Sequence, residues 1–140
     1  MDYKNLTKEE IKLIQDSFAQ VCDNSNITAK LLYDKLFESH PEISKIFKGD
    51  MHEQEAKLMQ MMKTVVSGLN NPHIIVSAIQ ELGKKHFEIG VIPAHYEKFR
   101  QALFYSFEMQ LAGDFTPEIR AAWQKLYDIL AEAMQGLQYK

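Results

Sequence analysis

The side chains best suited to chemistry gather around His86, in the stretch Leu82-Gly-Lys-Lys-His-Phe-Glu-Ile-Gly-Val91. Ile75, Ile79 and Leu82 precede it at helical spacing, so an imidazole lies at the foot of an apolar stripe. That spacing predicts a helix over Ile74 to Glu88, stopped by Gly90 with Pro93 close behind. Two roles suit such a histidine. It is either a hydrogen-bonded core residue, or a neutral imidazole presented to a metal or haem in a dry pocket.

The elements around it read as helices throughout. Thr7-Lys-Glu-Glu10 is a capping box, and the helix it opens carries Ile11, Ile14, Phe18 and Val21 on one face. Asp23-Asn-Ser-Asn26 breaks it with turn-forming side chains. A second helix, roughly Ile27 to Ser39, carries Leu32, Leu36 and Phe37 with Tyr33 among them. Pro41 opens a short turn ending at Ile46-Phe47, because its fixed φ suits a first helical position.

The next helix runs from about His52 to Leu69. Its inward positions step as Gln54, Leu58, Met61 or Met62, Val65 and Leu69, near a 3.6-residue period. One carboxamide, Gln54, therefore stands at the mouth of an apolar face. Asn71-Pro72 reads as a cap and first residue of the His86 helix. After Pro93 a helix to about Leu111 carries Tyr96, Phe99, Leu103, Phe104 and Phe107. Gly113-Asp-Phe-Thr116-Pro117 breaks the pattern and restarts a last helix holding Ile119, Trp123, Leu126, Tyr127, Leu130 and Met134. No alternating β pattern of useful length occurs, so the fold class is all-α with six or seven helices.

Bulk properties narrow the function classes. The 140 residues suit one domain spanning 1–140, long enough to bury a single core. Hydrophobic residues at 46% and charged residues at 25% are ordinary for a globular protein. A net charge of −3 gives no footprint for nucleic acid or an anionic membrane. Cys22 is the only cysteine, so neither an intrachain disulfide nor a cysteine-based zinc cluster is expected. The first ten residues lack the apolar core of a signal peptide, and no apolar run approaches the roughly 20 residues that span a bilayer. A cytoplasmic location is the expectation.

Several pieces, in this order and spacing, resemble the globin family, nearest to bacterial single-domain haemoglobins and the haem domain of flavohaemoglobins. They are Leu32-Tyr33-Asp-Lys-Leu-Phe37, His40-Pro41, Ile46-Phe47, Gln54-Glu-Ala-Lys-Leu58, His86, Gly90-Val91 with His95-Tyr96, and Ala122-Trp123. The likeness extends from about Thr7 to about Gln138. It implies a globin fold of six to eight helices enclosing haem b, with His86 as the proximal ligand of the iron. Phe47 corresponds to the phenylalanine that packs flat on the haem. Tyr33 and Gln54 correspond to the polar pair on the gas-binding side, with Leu58 beside them. Leu82, Val91, Tyr96, Phe99, Leu103 and Tyr127 fall where the family lines its haem cavity.

Blander roles stand beside these. Tyr33 also suits a core tyrosine bonded to a backbone carbonyl, and Gln54 a solvated helix residue. Lys57, one turn beyond Gln54, suits a solvated ammonium or a haem-propionate donor. As an iron ligand it would need its proton removed in a desolvated setting. Lys84 and Lys85 read as solvent-facing. His40, His52 and His73 carry no metal motif, and His95 is expected to bond nearby backbone rather than act as a ligand.

The resemblance implies dioxygen and other diatomic gases as ligands, held reversibly and tightly. It implies, as the alternative, nitric oxide dioxygenation or the handling of peroxide or sulfide. The sequence departs from the family in one place: the glutamate that polarises the proximal imidazole together with a tyrosine, matched by Tyr96, reads Gln138 here. Glutamine brings no charge to raise imidazole basicity, which weakens a peroxidase-like reading. No Gly-x-Gly-x-x-Gly loop is present, so turnover would call on a separate reductase. A haem-free interaction module is a third class, which His86 opposes. Both monomer and homodimer are compatible with the sequence.

Overall fold

The computed structural model describes residues 6–22, 25–71 and 73–136, with backbone alone for residues 25, 26 and 74. The described residues form α1 (Lys8–Cys22), α2 (Ser25–Ser39), a 3-10 turn (Pro41–Ile46), α3 (Met51–Ser67), α4 (His73–Glu88) and α5 (Pro93–Leu111). A second 3-10 turn (Ala112–Asp114) and α6 (Pro117–Gln135) complete them, with no strand among them. Helix ends fall within two residues of those expected, the ordinary scatter of fraying termini. The predicted cap at Asn71-Pro72 is only partly visible, because Pro72 lies outside the described residues. Asp23 and Asn24 lie outside them too.

Local chemistry sets most helix starts. The Thr7 N–H donates to Glu10 Oε1 at 2.8 Å while the Glu10 N–H donates to Thr7 Oγ1 at 3.0 Å, both halves of a capping box. Asp50 caps α3 by accepting from the His52 N–H, and Thr116 caps α6 by accepting from the Ile119 N–H. Each such cap stabilises its helix by about 1 kcal/mol. At the end of α4, Gly90 takes φ +99°, which a side chain would strain. The Val91 N–H then reaches back to the His86 carbonyl and the Gly90 N–H to that of Phe87, a Schellman closure.

The core gathers where α1, α5 and α6 meet. The Phe107 ring lies 4.7 Å from that of Trp123, and the Phe18 ring lies 6.1 Å from the same indole. The indole N–H donates to Ser17 Oγ at 2.9 Å in a fully buried bond. α2 packs along α5, where the Thr28 hydroxyl meets the Gln110 amide oxygen at 2.8 Å.

One expectation needs correction. The helical period points α3 inward through Gln54, Leu58, Met61 or Met62, Val65 and Leu69, yet Met59 and Val66 are also buried. α3 meets α1 on that second face, where the Gln15 amide donates to the Val66 carbonyl at 3.0 Å. The stripe through Gln54, Leu58, Met61 and Met62 stays only half-buried.

α4 rests chiefly on α6. Gly83 makes this approach possible, since a Cβ there would stand 2.1 Å from the Met134 carbonyl oxygen. α3 and α4 make at most marginal backbone contact among the described residues. Neither is any described helix long and apolar enough to cross a membrane.

Candidate functional site

The weak contact between α3 and α4 leaves two polar clusters, one carried by α2 and α3 and the other by α4, α5 and α6. In the first, Tyr33 is 3% exposed and stands on the inner face of α2. Its ring meets Phe47 edge-on at 5.4 Å, Phe99 edge-on at 6.5 Å and Phe37 at 5.8 Å. Edge contacts of this kind hold the phenol in one orientation. Gln54 Nε2 donates to the Tyr33 hydroxyl oxygen at 3.0 Å. The phenol's own proton is therefore left for another acceptor, and the core role on a backbone carbonyl is not what the structure displays.

Burial pushes the Tyr33 pKa up to about 12; the Gln54 hydrogen bond opposes the shift and the charge on Glu55 adds to it. The group is a protonated donor across the physiological range. Gln54 is half-buried, in keeping with a position at a crevice mouth.

In the second cluster, His86 stands in the last turn of α4, half-buried. Desolvation lowers its pKa, so the imidazole is neutral at neutral pH. Its Nδ1 is enclosed by protein with no hydrogen-bond partner among the described residues. The Tyr96 ring approaches the imidazole edge-on at 6.4 Å. The Tyr127 hydroxyl donates to the Tyr96 backbone carbonyl, locking α6 to α5 behind the histidine. Burial raises the Tyr127 pKa well above the ordinary phenol value. Gln138, expected near Tyr96, lies outside the described residues.

The remaining expected residues divide by burial. Phe47, Leu58, Leu82, Val91 and Phe99 are half-buried, each keeping apolar surface that protein does not cover. Tyr96 and Leu103 are buried. Lys57 is exposed and forms no ion pair among the described residues. Lys84 and Lys85 are exposed, as expected.

The other histidines do different work. His95 Nδ1 accepts from the Ile92 N–H at 3.2 Å and so caps α5. Burial, then the charge on Lys98, lowers its pKa, which keeps that acceptor available. His52 is exposed, near Glu55, and His73 is exposed. No group of three His, Cys, Asp or Glu able to hold a metal ion occurs among the described residues.

Two contributors escaped sequence reasoning. Phe37 packs against both Tyr33 and Phe47, and its spacing of four from Tyr33 on one helix was the available signal. Gly83 sets how closely the His86 helix approaches α6. A lone glycine inside a helical pattern was its signal.

Comparison with known proteins bears on this arrangement. The flavohemoprotein of Bacillus subtilis (strain 168) is 25% identical over 136 residues, which is 95% of this chain and 34% of that protein. The chain thus spans about a third of the flavohemoproteins it matches. Neuroglobin of Danio rerio is 26% identical, covering 94% of this chain and 91% of its own. Among solved structures, a carbene transferase engineered from a provisionally assigned nitric oxide dioxygenase of Rhodothermus marinus superposes with a TM-score of 0.84 at 25% identity, covering 93% of this chain and 91% of that one. A hexacoordinated haem protein from an anhydrobiotic tardigrade shares the fold, with a TM-score of 0.83 at 17% identity over 93% of each chain. The family model described as Globin matches residues 30–134, well over half of the sequence. The chain belongs to the globin family.

Proposed function

We propose that this chain, as one domain over 1–140, binds haem b between α3 and α4 and reversibly holds dioxygen or another diatomic gas with high affinity. The observation that carries the reading is the pairing of a half-buried, neutral His86 on α4 with the Gln54–Tyr33 hydrogen bond between α3 and α2. Neutral imidazole is the form that lends a nitrogen lone pair to iron. Because Nδ1 is enclosed, Nε2 is the nitrogen left to offer it. The uncovered apolar surface of Phe47, Leu58, Leu82, Val91 and Phe99 suits a flat apolar ring system. Phe47 would pack on that ring, and Lys57 would meet a propionate from the rim.

Bound haem supplies the iron that takes the gas as a ligand. The protein's part is to hold His86 on one side and to aim donors from the other. Tyr33 stays protonated and keeps its O–H proton uncommitted to Gln54. A donor facing a ligand with negative charge contributes roughly 1.5–3 kcal/mol, and about 1.4 kcal/mol is tenfold in affinity. Slow release of a polarised gas follows.

The Rhodothermus and flavohemoprotein likenesses favour a second reading, nitric oxide dioxygenation with electrons from a separate reductase. With a single cysteine, Cys22, the chain suits the cytoplasm. The decisive experiment is the absorption spectrum of purified protein in ferric, ferrous and carbon-monoxide-bound states, with His86→Gly beside it. The expected result is a strong violet band that weakens in the variant and returns with added imidazole. Colourless wild-type protein supplied with haem defeats the proposal. Steady nitric oxide consumption with a reductase present, rather than one stoichiometric burst, selects the enzyme.

A further inference from the structure

Between the end of α2 and the first half of α5 lies a cavity of about 70 Å³. It exceeds several-fold the roughly 10–15 Å³ that one water requires, so an anion of several atoms has room. Leu36 and Ala102, both buried, make an apolar floor. The walls are Lys35, Ser39, His40, Lys98 and Gln101: two ammonium groups, a hydroxyl, an imidazole and an amide, with no carboxylate among the lining residues. This cluster of donors stands on a chain whose formal net charge is −3.

We propose that this cavity binds a small tetrahedral oxyanion, either inorganic phosphate or the terminal phosphate of a small phosphomonoester. The neighbouring carboxylate already reports what the cluster attracts. Glu42 Oε1 sits 3.4 Å from Lys98 Nζ and 3.8 Å from His40 Nδ1, at the rim. Its side chain is 55% exposed, so it can leave for solvent when a ligand with more acceptors arrives. Lys35 forms no ion pair among the described residues; its Nζ lies 4.8 Å from the centre of the Tyr105 ring, which keeps the side chain ordered without cancelling its charge. Part of the Gln101 amide is turned towards Glu97. The Ser39 hydroxyl has no hydrogen-bond partner within the protein among the described residues. Phosphate offers enough oxygens to engage these donors together, and lysine binds it as a point charge.

The test is equilibrium dialysis of the full-length, haem-loaded protein against radiolabelled inorganic phosphate at low ionic strength. One saturable site per chain is expected, weakened about tenfold or more by Lys35→Ala or Lys98→Ala. Glu42→Gln should tighten it, because the internal competitor loses its charge, and Lys84→Ala should leave it unchanged. An unlabelled sugar monophosphate that competes better than inorganic phosphate assigns the site to terminal phosphates, and the reverse order assigns it to the free ion. Absence of saturable binding overturns the proposal. So do displacement by chloride at the same concentration, unaltered binding in the double lysine variant, or weaker binding in Glu42→Gln. Unchanged far-ultraviolet circular dichroism in each variant separates loss of the site from loss of fold.

Discussion

Gln54 on α3 gives a hydrogen to the phenol oxygen of Tyr33 on α2 at 3.0 Å, so the two polar groups are coupled as one unit. The amide fixes the phenol, and the phenol's own proton stays uncommitted to Gln54. Removing Tyr33 as phenylalanine should speed dioxygen release by about tenfold or more, the worth of one charge-assisted donor. Gln54→Leu should have a smaller effect, because it releases the phenol from its anchor without deleting it. In the double variant the losses should fall short of additive, since contacting residues couple. Stopped-flow dissociation measures all three rates. Strict additivity would show that the two side chains work apart.

His86 makes stability depend on pH in a stated direction. Burial lowers its pKa below the ordinary 6.5, so the unfolded chain binds the proton more readily than the folded one. The contribution is whole above about 6.5 and is lost as pH falls through the lowered native value. His95 shifts the same way, and its protonation would also remove the acceptor that caps α5. Urea unfolding of haem-free protein should therefore reveal lower stability at pH 5.5 than at pH 7. His86→Gln and His95→Gln should each flatten that dependence. An equally steep dependence in the double variant would assign it to other groups.

How far the structure can be read from the sequence varied with the range of the interaction. Thr7 with Glu10, Thr116 with Pro117, and Gly90 act within one turn of chain, and all three ends formed as expected. The second buried face of α3 does not emerge, because Met59 and Val66 are buried only by tertiary packing, Val66 with α1 across it. Periodicity offers Tyr33 and Gln54 separately; the family resemblance pairs them, and the hydrogen bond joins residues 21 apart in sequence on two different helices. The cavity beside Lys35, His40 and Lys98 draws on separate segments, so no local pattern announces it.

The buried bond from Trp123 to Ser17 offers a clean stability test. Ser17→Ala leaves the indole N–H enclosed without an acceptor, which costs about 1–3 kcal/mol. Trp123→Phe alone removes the donor but opens space beside Phe18 and Phe107. Once the indole is gone, the serine hydroxyl still bonds the Leu13 carbonyl at 2.7 Å. Ser17→Ala should therefore cost little in the Trp123→Phe background. Chemical denaturation of the four proteins measures it; an undiminished Ser17→Ala loss would mean that the hydroxyl's main partner is its own helix.

Gly83 sets two effects of opposite sign against each other. Within a helix, glycine to alanine ordinarily stabilises by about 1 kcal/mol through backbone entropy. Here the added methyl would stand 2.1 Å from the Met134 carbonyl oxygen, and the neighbour is backbone that cannot rotate away. α4 would have to lift from α6, its principal support. Overpacking of this kind costs about 1–3 kcal/mol, so Gly83→Ala should destabilise on balance and Gly83→Val more so. The lift also moves His86, one turn along the same helix, relative to Tyr96. Haem retention should consequently fall in step with denaturation midpoint across glycine, alanine and valine. A Gly83→Ala protein more stable than wild type would show that the α4–α6 contact yields easily, and that propensity outweighs packing at this crossing.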